Sequence, residues 1–347
     1  MPDSTGNSPA SAKVLVTGAT GFVGSALAAR LAALGTTVRG LTRNPGAAPA
    51  IPGVEWVRGD LEDAASLREA TRGIETVFHA GGMVGHFGLR AAYLRANVQG
   101  TKDLLAACRE RRVRLLIHTS TPSVIADGSD HFGVDESHPY STRFASPYPE
   151  SKALSEQLVL AEHRDDFRTL VVRPHMIWGP GRSQWVQGMV RRAARNALWQ
   201  IGAGRNRIGM TYLDDCVSAH VAAWQALTRD ASVGGAPYFV HGGAPVVFWE
   251  WVAELSRACG LSPIRGQVPT GAAMALAHAC DAAVVLSRGR VHMPISAYLI
   301  AELTTEHYSD ITRARTRLGY EPRVTIAEGL GRIAAAEHAR REGSVFT

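Results

Sequence analysis

Lys13-Val-Leu-Val-Thr17 runs directly into Gly18-Ala-Thr-Gly21-Phe-Val-Gly24, and this stretch decides the fold. The first part is a near-continuous apolar run, the pattern of a central strand covered on both faces. The second spaces its glycines as G-x-x-G-x-x-G and opens a helical pattern over residues 22–34, with Gly35 placed to end it. Glycines let a backbone turn tightly and approach a pyrophosphate, whose charge suits a helix N-terminus. The spacing differs from the more familiar G-x-G-x-x-G, so its weight comes from the strand before it and the helix after it. Gly18, Thr20, Gly21, Phe22, Val23 and Gly24 are therefore expected to hold a dinucleotide.

Working outward, short β-branched runs alternate with helical patterns through the first half of the chain. Strands are expected over 37–41, 54–57, 76–80, 113–119 and 169–173, with helices near 63–72, 89–111 and 149–163. That alternation predicts an α/β fold, a Rossmann-type doubly wound parallel sheet. After Arg173 the rhythm breaks into turn-rich segments, then a helix over 214–227 and a strand over 237–240 return to the sheet. The organisation expected is a disordered tail at 1–11, a dinucleotide-binding domain at 12–175, and a mostly helical substrate lobe at 176–347 whose return to the sheet covers about 211–241.

Composition narrows the function. The chain has 347 residues, 46% apolar and 20% charged, which excludes wholesale disorder. Its net charge is +6, but the arginines are scattered and not interleaved with aromatics, so no nucleic-acid partner is expected; an anionic small ligand suits the charge better. Cys108, Cys216, Cys259 and Cys280 lie far apart without metal-ligand spacing, which points to no metal and a reducing, cytoplasmic setting. The N-terminal stretch lacks the basic and apolar regions of a signal peptide. No apolar run reaches the roughly 20 residues of a transmembrane helix. The nearest, residues 271–286, is interrupted by His278 and Asp281 and reads as a helix packed on a substrate pocket.

The second strand's end bears on which dinucleotide binds. Thr42-Arg43-Asn44 offers an arginine for a 2′-phosphate where an NAD site carries a carboxylate, so NADP is expected, with NAD tolerated. Asp60, followed by Leu61, ends the third strand and is placed to hold the adenine. Tyr148-Pro-Glu-Ser-Lys152 sets a phenol and an ammonium on one helical face. A nearby cation would lower the tyrosine below its ordinary value of about 10 and make it a general acid/base. Lys152 is one of only three lysines, with Lys13 and Lys102, in an arginine-dominated chain. His118-Thr-Ser-Thr-Pro-Ser123 brings hydroxyls to a strand's C-terminal edge, where ligands sit in open α/β sheets and a hydroxyl can donate to a carbonyl oxygen.

These features, with Arg173-Pro174, resemble the extended short-chain dehydrogenases/reductases over about residues 12–335. His118-Thr-Ser-Thr-Pro-Ser-Val124, Arg173-Pro-His-Met-Ile-Trp-Gly-Pro-Gly181 and Ala314-Arg-Thr-Arg-Leu-Gly-Tyr-Glu-Pro322 look like the 3β-hydroxysteroid dehydrogenase branch. Within it, two of these runs are similar to bacterial 2-alkyl-3-oxoalkanoate reductases of olefin biosynthesis. The resemblance implies Tyr148 as proton donor/acceptor and Lys152 on the nicotinamide ribose. It implies Thr121 at the usual catalytic serine position, with Ser120 as fallback, and Asn97 supporting the lysine. His79, Ala80 and Gly81 would line the cofactor, although the family often has alanines at Gly81 and Gly82. Arg173, Pro174 and His175, with Ile177, would approach the nicotinamide.

The expected activity is NAD(P)-dependent interconversion of a secondary alcohol and a ketone on a hydrophobic 3-oxo or 3-hydroxy substrate, a β-keto acyl chain or a steroid. A homodimer is compatible with this reading, and the sequence leaves the subunit count open. Residues 268–303, rich in alanine, are expected to wall the substrate pocket. One rival is a nucleotide-sugar epimerase or dehydratase, against which the hydroxyl cluster leads into Pro-Ser-Val-Ile-Ala126 and not Tyr-Gly, with no acid pair after Thr121. A catalytically silent nucleotide sensor is the other, and it would have no need to keep Thr121, Tyr148 and Lys152 together.

Overall fold

The computed structural model describes residues 12–343 apart from 86, 87, 182 and 292; the expected tail at 1–11 lies outside them. Five strands form its first half: β1 (Lys13–Thr17), β2 (Thr37–Thr42), β3 (Val54–Arg58), β4 (Thr76–His79) and β5 (Leu115–Thr119). Together with Arg168–Pro174 and Pro237–Val240 they make one seven-stranded sheet, ordered Pro237–Val240, Arg168–Pro174, β5, β4, β1, β2, β3. Every neighbouring pair is parallel. The chain winds outward from β1 to β3 and then crosses to β4 on β1's other side. That reversal opens a crevice at the carboxyl ends of β1 and β4, the ligand position of doubly wound sheets.

The apolar run of β1 is explained by two cores. Val14 and Val16 pack with Leu27 and Leu31 of α1 (Phe22–Ala33) on one face. Leu15 points the other way, into a cluster with Leu67, Leu104 and Val171. Helix α2 (Ala64–Ala70) begins where Asp63 accepts from the amides of Ala65 and Ser66. The single helix expected over 89–111 is instead α3 (Arg90–Tyr93), a π-helical turn at Leu94–Gln99, and α4 (Gly100–Glu110). Helix α5 (Pro147–Ala161) starts two residues earlier than expected, because Ser146 caps it by accepting from the Tyr148 amide at 3.2 Å. Pro147 and Pro149 both fall in the first turn, where a missing N–H costs nothing.

The second half builds its own core. Trp178, Trp251 and Val252 pack with Phe248 and Trp249, so the tryptophans sit in core and not in a pocket wall. A small sheet ordered Val246–Val247, Arg207–Ile208, His307–Ser309, His131–Val134 joins distant parts of the chain.

One buried ion pair ties α5 to the sheet. Arg173 donates to Glu156 through Nε at 3.0 Å, and both side chains are essentially sealed from solvent. Tyr140 donates to the same carboxylate at 2.9 Å, Ser120 donates to it as well, and Phe239 lies under the guanidinium. Removing one partner of such a pair strands the other charge, at about 3–5 kcal/mol. Glu156→Ala should therefore lower the unfolding free energy by that amount in denaturant titration, a loss far larger than that of an exposed pair.

Candidate active site

The turn after β1 is built on close backbone approach. Gly18 has φ +66°, and a Cβ there would stand 2.7 Å from the Gly81 Cα. A Cβ on Gly24 would overlap the Gly18 carbonyl oxygen. The Gly21 amide donates to that same oxygen at 2.8 Å. Gly21 then caps α1 with no side chain, leaving the first-turn amides without a side-chain acceptor. Glycines pressed against backbone, at an uncapped helix N-terminus, fit a dinucleotide pyrophosphate. Thr20, Phe22 and Val23 complete the loop, with Phe22 reaching toward Gly179.

Behind the turn a hydrogen-bond chain fixes its relation to β4. The Gly81 amide donates to Thr17 Oγ1 at 3.0 Å, and Thr17 Oγ1 lies 2.8 Å from His79 Nδ1. His79 Nε2 is 3.0 Å from Thr101 Oγ1, whose proton goes to the Asn97 carbonyl at 2.6 Å. Thr101 can therefore only accept from His79, so the imidazole carries its proton on Nε2 and accepts from Thr17. Burial pushes His79 down to about 3 and keeps it neutral. His79 thus braces the turn from beneath, while Ala80 and Gly81 supply the floor. A Cβ on Gly82 would press on the Asn97 side chain, 2.9 Å from its Oδ1.

Asn97 sits in the π-helical turn, a frequent feature of functional sites. Its side chain accepts from the Met83 amide at 2.6 Å and donates to the Met83 carbonyl at 2.9 Å and to Ser151 Oγ at 2.8 Å. It therefore holds the neighbour of Lys152 and makes no direct bond to the lysine. Arg43 is exposed just past β2, beside Arg58 at the end of β3, whose register partner is Thr42. Asp60 follows β3 and accepts from the Glu62 amide at 3.1 Å, and Leu61 packs beneath Gly81.

Tyr148 and Lys152 lie one turn apart on α5. The Lys152 ammonium donates to the Thr119 carbonyl at 2.7 Å and lies 3.2 Å from His118 Nε2. Burial pulls the ammonium down to about 8, with the nearby Glu156 carboxylate opposing the fall. The expectation that Lys152 would lower Tyr148 is not met. Burial raises the phenol, the Thr121 hydroxyl beside it opposes the rise, and the Glu302 carboxylate adds to it. Tyr148 accordingly holds its proton, as a proton donor must.

The two hydroxyls after β5 separate. Ser120 is buried and donates to Glu156, which removes it from the site and corrects its reading as a fallback. Thr121 faces a cavity, with Oγ1 3.1 Å from Ser123 Oγ. Arg173 is also corrected: it is committed to Glu156 and does not approach the crevice. Pro174 ends its strand, and His175 lines the cavity with Nε2 2.9 Å from His307 Nδ1. Ile177 belongs to a short strand paired with Thr211–Tyr212.

The cavity is bounded by Pro122, Ile125, Ala145, Met176 and Phe239, together with Tyr298 and Glu302. Among the described residues of the expected wall at 268–303, only those of the helix Ala297–Thr304 line it. The alanine-rich helix Thr270–Leu286 stacks behind, burying Ala273 and Ala277 against Ile300 and leaving Leu276 and Leu286 exposed. Tyr298, Glu302 and His307 were not singled out from sequence, because nothing local marks them. Glu156, four residues beyond Lys152 on the same helical face, did carry a local signal.

Fold and site together define a short-chain dehydrogenase/reductase, an oxidoreductase built on a dinucleotide-binding sheet. The chain belongs to the 3-beta hydroxysteroid dehydrogenase/isomerase family, whose profile matches residues 15–268. It is 36% identical over 330 residues to the 2-alkyl-3-oxoalkanoate reductase of Stenotrophomonas maltophilia (strain K279a), covering 94% of this chain and 100% of that one. To the 4-hydroxy-2-methyl-3-oxo-4-farnesyl-3,4-dihydroquinoline-1-oxide ketoreductase of Stigmatella aurantiaca it is 33% identical over 330 residues, covering 93% and 96%. Among solved structures, MoeE5 in complex with UDP-glucuronic acid and NAD superposes with a TM-score of 0.72 at 26% identity, covering 95% of this chain and 99% of that one.

The position of Lys152 gives a pH dependence. Its charge is present below about 8 and lost above it. In the roles expected of the pair, that charge would stabilise the phenolate left when Tyr148 gives up its proton. Reductive turnover should hold through neutral pH and fall as pH rises through about 8. A profile flat to pH 10 would show that the ammonium is not needed.

Proposed function

We propose that this oxidoreductase works as an NADP-preferring ketoreductase on a hydrophobic 3-oxo substrate, yielding the secondary alcohol. One observation carries this reading: Tyr148, raised and therefore protonated, stands beside Thr121 and Tyr298, two residues that line a mostly apolar cavity. When bound along Gly18–Gly24, a nicotinamide dinucleotide supplies the hydride. The chain's own groups do the rest. Thr121 donates a hydrogen bond to the substrate carbonyl oxygen as charge develops there. Tyr148 transfers its phenolic proton to that oxygen. Lys152, anchored by the Thr119 carbonyl, offsets the charge left on Tyr148. Apolar walls suit a lipid-like ketone, since burial is worth about 25 cal/mol per Å² of apolar surface.

A panel of steroids, long-chain 3-oxo compounds and nucleotide sugars, followed by NADPH oxidation, tests the reading. Turnover of hydrophobic ketones is expected, and Tyr148→Phe should reduce it by roughly 10²–10⁴. Turnover of nucleotide sugars alone would favour the epimerase reading that the fold also allows.

The NADP preference rests on Arg43 and on the absence of a carboxylate at the end of β2. A 2′-phosphate there would be met by Arg43, with Arg58 alongside. Arg43→Ala should weaken NADPH binding by roughly tenfold or more, as for a lost charge-assisted hydrogen bond, and leave NADH binding nearly unchanged. Fluorescence titration reads both, and equal affinity for the two cofactors in the unaltered protein would sink the preference. The four buried thiols, none of them in a disulfide, suit a reducing, cytoplasmic setting. No helix among the described residues is long and apolar enough to cross a membrane.

A further inference from the structure

The cavity contains a carboxylate that a ketone-reducing site has no general need for. Glu302 and Tyr298 lie one turn apart on the helix Ala297–Thr304, and both line the cavity with Thr121. The Tyr298 ring is 6.4 Å from the Tyr148 ring, so this helix face borders the reacting group. No lysine or arginine is among the described residues that line the cavity. Two of its histidines pair with each other: His307 Nε2 donates to the Glu302 backbone carbonyl at 2.9 Å, and His175 Nε2 lies 2.9 Å from His307 Nδ1. His131, farther along the wall, lies 3.3 Å from Asp127. The one ammonium near Tyr148 is Lys152, held by Thr119.

We infer that Glu302 makes this cavity selective for uncharged 3-oxo substrates, such as an ester, an amide or a ring ketone, over free β-keto carboxylates. The inference rests on the ketoreductase reading. A β-keto acid carries its carboxylate one carbon from the carbonyl that Tyr148 must reach, so it would enter the same cavity that the Glu302 carboxylate lines. Like charges placed together in such a space are strongly disfavoured. An uncharged head group avoids the conflict, and a hydroxyl or amide N–H on it can donate to the Glu302 oxygens.

The test compares a 2-alkyl-3-oxoalkanoic acid with its methyl ester in the whole enzyme and in Glu302→Gln, which keeps the side chain's shape. The unaltered protein should favour the ester in kcat/KM by roughly tenfold or more, and Glu302→Gln should raise the acid-to-ester ratio by a similar factor. Calorimetric binding of the stable 3-hydroxy acid and its methyl ester should show the same change in ratio, independent of turnover. Equal use of acid and ester by the unaltered protein would overturn the inference, as would a ratio that Glu302→Gln leaves unchanged. If no ketone is turned over, the ketoreductase reading fails, and the binding ratio still decides the role of Glu302.

Discussion

The fold turns on how closely two backbones meet at the carboxyl ends of β1 and β4. Gly18 and Gly81 touch there without side chains between them, and Gly24 packs on the Gly18 carbonyl. This contact brings the helix N-terminus of α1 over the crevice where the sheet's winding reverses. A Cβ on Gly18 or Gly24 would part the strands or tilt the helix, and the first-turn amides of α1 would lose their common aim. The Thr17–His79–Thr101 chain keeps the contact in register from below, using a histidine whose burial removes its charge. A neutral imidazole suits this place, because a buried cation would repel Lys152, which also depresses His79.

From that contact outward, what the sequence reveals follows the range of the interactions. The β1 run, the glycine turn and the start of α1 are set by neighbours in sequence, and they are legible. So is the Tyr148/Lys152 pair, whose lysine stands out among arginines. The π-helical turn at Leu94–Gln99 is not, since nothing in Leu-Arg-Ala-Asn-Val-Gln99 distinguishes it from α-helix. Its cause is tertiary: Asn97 reaches back to Met83 and across to Ser151. The cavity is the extreme case. Residues far apart in the chain meet where His307–Ser309 pairs with His131–Val134, the Glu306 amide donating to Asp130 at 2.8 Å beside them, and Tyr298, Glu302 and His307 line the cavity there. No periodicity or motif encodes such a long-range meeting.

Ser120 and Thr121 show a signal that was available. Adjacent residues of an extended segment point to opposite faces. Only one of two neighbouring hydroxyls can therefore face the crevice, and the other must find a partner inside. Thr121 lies toward the cavity, and Ser120 turns to Glu156. The same alternation commits Arg173 inward, where Glu156 and the Phe239 ring receive it.

These placements explain why Lys152 is charged yet near its limit. Tyr148, Lys152 and Glu156 follow one another at four-residue spacing along α5, a face that presents phenol, ammonium and carboxylate in turn. Glu156 supports the ammonium through its field, but its oxygens are committed to Arg173, Tyr140 and Ser120. Were the carboxylate free to pair with Lys152, the lysine would hold its proton firmly and turn toward the core. Bound to Arg173, Glu156 offsets only part of the desolvation, and Lys152 settles near the pH at which a cell works. The structural pair thus sets the responsiveness of the reacting one. A lysine held there can steady a transient phenolate on Tyr148 without fixing it as a permanent ion pair.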